Sequence, residues 1–198
     1  MKTGMNSQDS IQPWLKIMVS KLILVLLTAL TFSGCFVSFK NRLPASQKLG
    51  RDERLLGTWT GTEKGKPYSV YFGRNSHGEM TVAMPENPSY RNPLCQVMTT
   101  KISDHDYMIF LPDEPGESDY MVARYSLDGV ALKVCMLDAD RVKESIKQRK
   151  LKGSFDYAPW GGALITESSE AVLKFLKSSD GEAMFTCPEE FNFKRVSN

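Results

Sequence analysis

The stretch Tyr120-Met-Val-Ala-Arg-Tyr-Ser-Leu-Asp128-Gly129-Val-Ala-Leu-Lys-Val-Cys-Met136 reads as two β-strands joined by a tight turn. Asp-Gly is a strong two-residue hairpin signal, because glycine accepts positive φ. Pairing Leu127 with Val130 places Tyr125 opposite Leu132, Ala123 opposite Val134 and Met121 opposite Met136. Those eight residues share one face, and nearly all are large and apolar. Tyr120, Val122, Arg124, Ser126, Ala131, Lys133 and Cys135 fall on the other face, so Cys135 points away from the core stripe.

The same two-residue period recurs on the N-terminal side. Cys95–Ile102 and Asp106–Leu111 form a hairpin around Asp104-His105, with Met98, Thr100 and Ile102 on the side of Tyr107, Ile109 and Leu111. Tyr68, Val70 and Phe72 alternate, as do Met80, Val82 and Met84, and Gly57–Thr62 opens the series. Three prolines between Pro85 and Pro93 exclude a central strand there. On the C-terminal side, Asp138 caps a helix to about Arg149, and Ser168 caps a second whose apolar stripe is Val172, Leu173 and Leu176. Phe155–Ile165 reads as an interrupted strand; Ala183–Thr186 and Phe191–Val196 read as closing strands. The expected fold is mainly β, an antiparallel barrel, closed or partly open, with two short late helices.

The residues Leu55-Leu56-Gly57-Thr58-Trp59 resemble the opening of lipocalin-like barrels, in which Gly-x-Trp follows a helical turn and begins the first strand. The resemblance implies a barrel floor built from Gly57 and Trp59, with Trp59 under an arginine of the final strand; Arg195 is placed for that role. The sequence departs from the family at 138–149, where a helix interrupts the up-and-down meander.

Lys21-Leu-Ile-Leu-Val-Leu-Leu-Thr-Ala-Leu-Thr-Phe-Ser-Gly-Cys35 has the order of an export signal: a positive residue, an apolar run and small residues before a cleavage point. The run is shorter than the roughly 20 apolar residues that span a bilayer. Phe32-Ser33-Gly34-Cys35 resembles the lipobox of bacterial lipoproteins. That resemblance implies a signal peptide over 1–34, lipidation of Cys35 with acyl chains such as palmitate, and a membrane partner held through them. Phe36 is not the aspartate that retains such lipoproteins at the inner membrane. The expected location is the cell envelope, at the outer membrane facing the periplasm in a Gram-negative host. Met18 offers a more ordinary start than Met1. Residues 35–50 read as a tether and 51–198 as the lipocalin-like domain.

Charge excludes one class of partner. Loss of residues 1–34 takes three of the 25 basic residues (Lys2, Lys16, Lys21) and one of the 23 acidic (Asp9), leaving 22 of each. A neutral chain lacks the basic footprint of a nucleic-acid binder. The locally basic run Lys147, Arg149, Lys150 and Lys152 reads as a solvated helix end.

The residue chemistry points away from catalysis. His77 and His105 sit in turns, with no Cys/His cluster at metal-ligand spacing. There is no nucleophile motif and no phosphate-binding glycine loop. The chain therefore reads as a non-enzyme with no cofactor. With Cys35 acylated, Cys95, Cys135 and Cys187 remain, enough for one disulfide; pairing of Cys95 with Cys187 or with Cys135 would staple the barrel. Met80, Met84, Met98, Met121 and Met136 fall on presumed inward faces, where methionine either lines a hydrophobic pocket in the barrel mouth for a small hydrophobic ligand or lipid, or fills the core. The expected function is a lipid-anchored envelope lipoprotein binding such a ligand. The alternative is a non-catalytic interaction protein, an inhibitor or assembly accessory, using the acidic 112–119 loop and the segment around Trp160.

Overall fold

A computed structural model describes residues 37–83, 95–112, 119–155 and 162–196. Eight strands close an antiparallel ring: β2 (Gly57–Glu63), β3 (Lys66–Arg74), β4 (Met80–Ala83), β5 (Cys95–Ile102), β6 (His105–Pro112), β7 (Tyr120–Asp128), β8 (Ala131–Leu137) and β12 (Asn192–Arg195), which returns to pair with both β8 and β2. Seven strands follow one another as a meander. The eighth arrives only after an insertion of about fifty residues, so the helix at 138–149 interrupts the chain order without opening the barrel. Closure removes the exposed edges that short strands otherwise carry.

The insertion holds α1 (Ala139–Lys147), β9 (Gly153–Phe155), β10 (Ala163–Ile165), α2 (Ser169–Leu176), α3 (Ser179–Ala183) and β11 (Phe185–Thr186). Asp138 and Ser168 cap the two longer helices, each accepting from backbone N–H groups of the first turn. The five-residue α3, capped by Ser178, is too short to show a periodic stripe in the sequence.

Both hairpins read from the sequence form, each displaced by two residues. Asp128 pairs with Ala131, and Ile102 with His105, so the loops are Gly129-Val130 and Ser103-Asp104. In each loop only the first residue has positive φ, +55° at Gly129 and +54° at Ser103, so one left-handed residue suffices to reverse the chain. A two-residue slip keeps every side chain on its face; a slip of one would have inverted them. Which side chains share a face therefore stands as expected, but the face carrying Met98, Ile102, Tyr107 and Ile109, expected to point inward, is the outer one, because β5 and β6 are buried on both sides.

What the periodicity hides is that both faces of this wall are buried. The inner face packs with Trp59, Val70, Phe72, Met80, Val97, Met108, Ala123, Leu132 and Phe193 in the barrel core. The outer face, with Ile102, Tyr107, Ile109, Tyr120, Val122, Cys135 and Leu137, packs against Val142 and Ile146 of α1, Val172 and Leu176 of α2, and Ile165 of β10. Met80 and Met136 belong to the inner core and Met121 to the inner register, but Met98 packs in the outer one; Met84 lies outside the described residues.

Two expectations are corrected. Residues 37–50, expected to be part of a tether over 35–50, are packed into the domain. Val37–Phe39 forms strand β1, parallel to β10 and antiparallel to β7, with Val37 and Phe39 buried. Phe39 stacks on Tyr120, whose hydroxyl donates to the Asn41 carbonyl at 2.9 Å, and Asn41 donates to the Glu167 carbonyl at 2.7 Å. Gln47 donates to the Lys101 carbonyl at 2.9 Å, and Gly50 bridges to Thr99. Three alternating residues bounded by charge were too short a signal to separate from a linker. The second correction is the disulfide, which joins Cys135 to Cys187 rather than using Cys95. Cys135 lies on the outer face and meets the insertion, whereas Cys95 is buried on the inner face of β5.

Candidate functional site

The two ends of the barrel differ in chemistry. One end is sealed. A 3₁₀ turn at Glu53–Leu55 lies across it and drops Leu55, fully buried, onto the core. Trp59 is also fully buried, and its Nε1 donates to the Leu55 carbonyl at 2.6 Å. The Arg195 guanidinium lies 4.3 Å from the Trp59 ring centroid. Its Nη1 donates to the Leu56 carbonyl at 2.7 Å and its Nη2 to the Arg54 carbonyl, so the cation holds the turn down while covering the ring. Gly57 has φ +117°, and a Cβ there would stand 3.4 Å from Arg195 Nη1. The structure thus brings Gly57, Trp59 and Arg195 together.

The remaining polar groups of this end are mutually satisfied. Asp52 accepts from the Arg54 backbone and side chain and from the Tyr125 hydroxyl at 2.9 Å. The Arg54 hydrogen bonds hold the Asp52 carboxyl below its ordinary value, and burial pushes Tyr125 up. A carboxylate with a lowered pKa contributes stability that is complete above its unfolded value, about 4, and is lost as pH falls through the folded value. Asp52→Asn keeps a capping oxygen but does not titrate. It is expected to flatten the acid limb of a stability–pH profile below pH 4, read by urea titration; an unchanged limb would assign acid sensitivity to other carboxylates. Tyr125→Phe is expected to cost about 1 kcal/mol at neutral pH in the same assay.

At the opposite end the inward side chains among the described residues are apolar. Inward side chains there are only half-buried: Tyr68, Phe110, Met121, Met136 and Phe191, above a layer formed by Phe193, Val134 and Cys95. The Tyr68 ring meets Phe193 edge-on at 5.6 Å, and its hydroxyl donates to the Glu190 carbonyl at 2.6 Å. Burial pushes that hydroxyl up to about 12, so it stays a neutral donor. Below this layer the interior is filled, since Trp59, Met80, Val97, Met108, Ala123 and Leu132 are at most 1% exposed. A water-sized void beside these side chains would have left them measurable surface.

No family model, curated protein or solved structure matches this chain. Its chemistry therefore rests on its own residues. His77 sits in a turn whose backbone bonds to Asn75, and His105 stands 3.7 Å from Glu182 on the surface. No group of three or more His, Cys, Asp or Glu side chains is placed to hold a metal ion among the described residues. Cys35, Trp160 and residues 113–118 of the acidic loop lie outside them. The methionine pattern points to a pocket at the barrel mouth, and Met121 and Met136 are there, but the pattern gives no sign of Tyr68, Phe110 and Phe191 beside them. Phe110 and Phe191 were read as members of strands, and nothing in a single strand's period says at which end of a barrel a residue falls.

Proposed function

We propose that this protein is a lipid-anchored lipoprotein of the cell envelope, held by Cys35, whose lipocalin-like barrel takes a small hydrophobic ligand or an acyl chain at its mouth. The observation that carries the ligand reading is the difference between the two ends. Polar groups and a cation–π pair close the floor, whereas half-buried Phe110, Met121 and Met136 ring the other end. Flexible methionine beside aromatic rings adapts to irregular apolar shapes. The filled lower half restricts such a ligand to a shallow seat above Phe193. Export is supported independently by the Cys135–Cys187 disulfide, a bond that persists in oxidising compartments.

Titration of the protein with a fluorescent fatty-acid probe tests this. Saturable binding near one probe per chain is expected, weakened at least tenfold by Met121→Glu. Binding that is absent, or indifferent to that substitution, would overturn the ligand reading.

The filled interior favours a second reading, a non-catalytic interaction protein that uses loops instead of a cavity. In that case the probe does not bind, and crosslinking in intact cells recovers one defined partner.

A further inference from the structure

The first described residue, Val37, is already fixed in the domain. It pairs with Ala163 of β10 and is buried in the outer core. Only Phe36 separates it from Cys35, so two Cα–Cα steps of 3.8 Å hold the two residues within about 8 Å. A lipid on Cys35 therefore has no slack with which to let the domain swing.

Neighbouring strands continue from that point. Ala163 pairs with Phe155, so Phe155 lies two strand spacings, about 10 Å, from Val37. Phe155 is 43% exposed, one of few large apolar side chains left so among the described residues, and Lys147 Nζ stands 5.7 Å from its ring centroid. Lys147 begins the run Lys147, Arg149, Lys150 and Lys152. None of these four side chains has an ion pair among the described residues, whereas Arg141 and Lys143 are paired to Asp138 and Asp140. The segment from Ala139 to Lys152 carries six basic residues against two acidic, Asp140 and Glu144, in a mature chain with no net charge.

We infer that the face formed by Phe155 and the basic end of α1 lies against an anionic lipid surface, docked there by the short link to Cys35. Lysine and arginine next to a membrane are drawn to acidic headgroups, and an exposed aromatic ring settles at the headgroup level. A docked face also gives the barrel a fixed orientation, which a fifteen-residue tether would not. The inference rests on lipidation of Cys35.

The test compares two lipidated full-length proteins in vesicles of phosphatidylethanolamine and phosphatidylglycerol. One has the natural sequence, and the other carries a twenty-residue Gly-Ser insert between Cys35 and Phe36. Mass spectrometry first verifies the lipid on Cys35, then follows the acylation rate of each lysine by a water-soluble reagent. For the natural chain, Lys147 and Lys150 are expected to react at least fivefold more slowly than exposed Lys66 and Lys194. The insert is expected to remove most of that difference. If Lys147 and Lys150 react as fast as Lys66 with the lipid in place, the docked face is wrong while the anchor stands. If Cys35 bears no lipid, the anchor itself fails and the docking falls with it. Equal protection in vesicles of phosphatidylcholine alone, or protection that survives the insert, would also overturn docking by an acidic lipid surface through a short link.

Discussion

Replacement of Trp59 by alanine is expected to destabilise the domain by about 4 kcal/mol, the range seen when large buried aromatic side chains are truncated. Three losses coincide there. The cavity forms at a site where Trp59 is fully buried among Val70, Met80 and Leu132. The Leu55 carbonyl loses the indole donor at 2.6 Å. Arg195 loses the ring it covers at 4.3 Å, and with it the support for two hydrogen bonds to the closing turn. Marginal domains have about 5–15 kcal/mol in total, so this change brings the protein near its unfolding threshold. Urea titration measures it. Trp59→Phe, which keeps an apolar ring without the indole N–H, is expected to cost about half as much. A cost below about 1 kcal/mol for Trp59→Ala would mean that the floor does not depend on its ring.

Removal of the Cys135–Cys187 bond is expected to cost a similar amount. The two residues are 52 positions apart, and a loop of that length corresponds to about 4 kcal/mol in the chain-entropy account of cross-links. The position of the bond makes the loss uneven. It ties the end of strand β8 to the end of the insertion, so the closed loop contains α1, α2, α3 and strands β9 to β11. The Cys135→Ala/Cys187→Ala variant is expected to lose amide-exchange protection first in 139–186, with β2 to β6 holding longer. Uniform loss across the barrel would show that cover and barrel unfold as one unit. The same bond is expected to persist in protein isolated from the envelope and to be reduced in chain retained in the cytoplasm.

The barrel was legible because its strands alternate strongly and its turns are marked. Tyr68, Val70 and Phe72, and the residues flanking Gly129, each announce a face, and faces survive a register error of two. The outer core was not legible. Tyr107 and Ile109 looked like the single buried face of a hairpin, and periodicity gave no sign that Met108 and Val97, on the other side, would be buried as well. Strand β1 escaped because three residues beside Lys40 and Arg42 carry too little period to stand out. The disulfide depends on the same hidden layer: with one core in view, Cys135 points away from it, and nothing in the period shows the insertion that brings Cys187 to that face. The floor trio of Gly57, Trp59 and Arg195 spans 139 positions, and only the family resemblance drew it together in advance. The apolar mouth needed three-dimensional order, since its residues come from five different elements.

The most direct test of the anchored-lipoprotein account is the mass of the N-terminal peptide of protein extracted from membranes. The account predicts a peptide that begins at Cys35 and carries a diacylglyceryl group on the thiol and an acyl chain on the amine. A peptide that retains residues before Cys35, or a Cys35 bearing a free thiol, would contradict it.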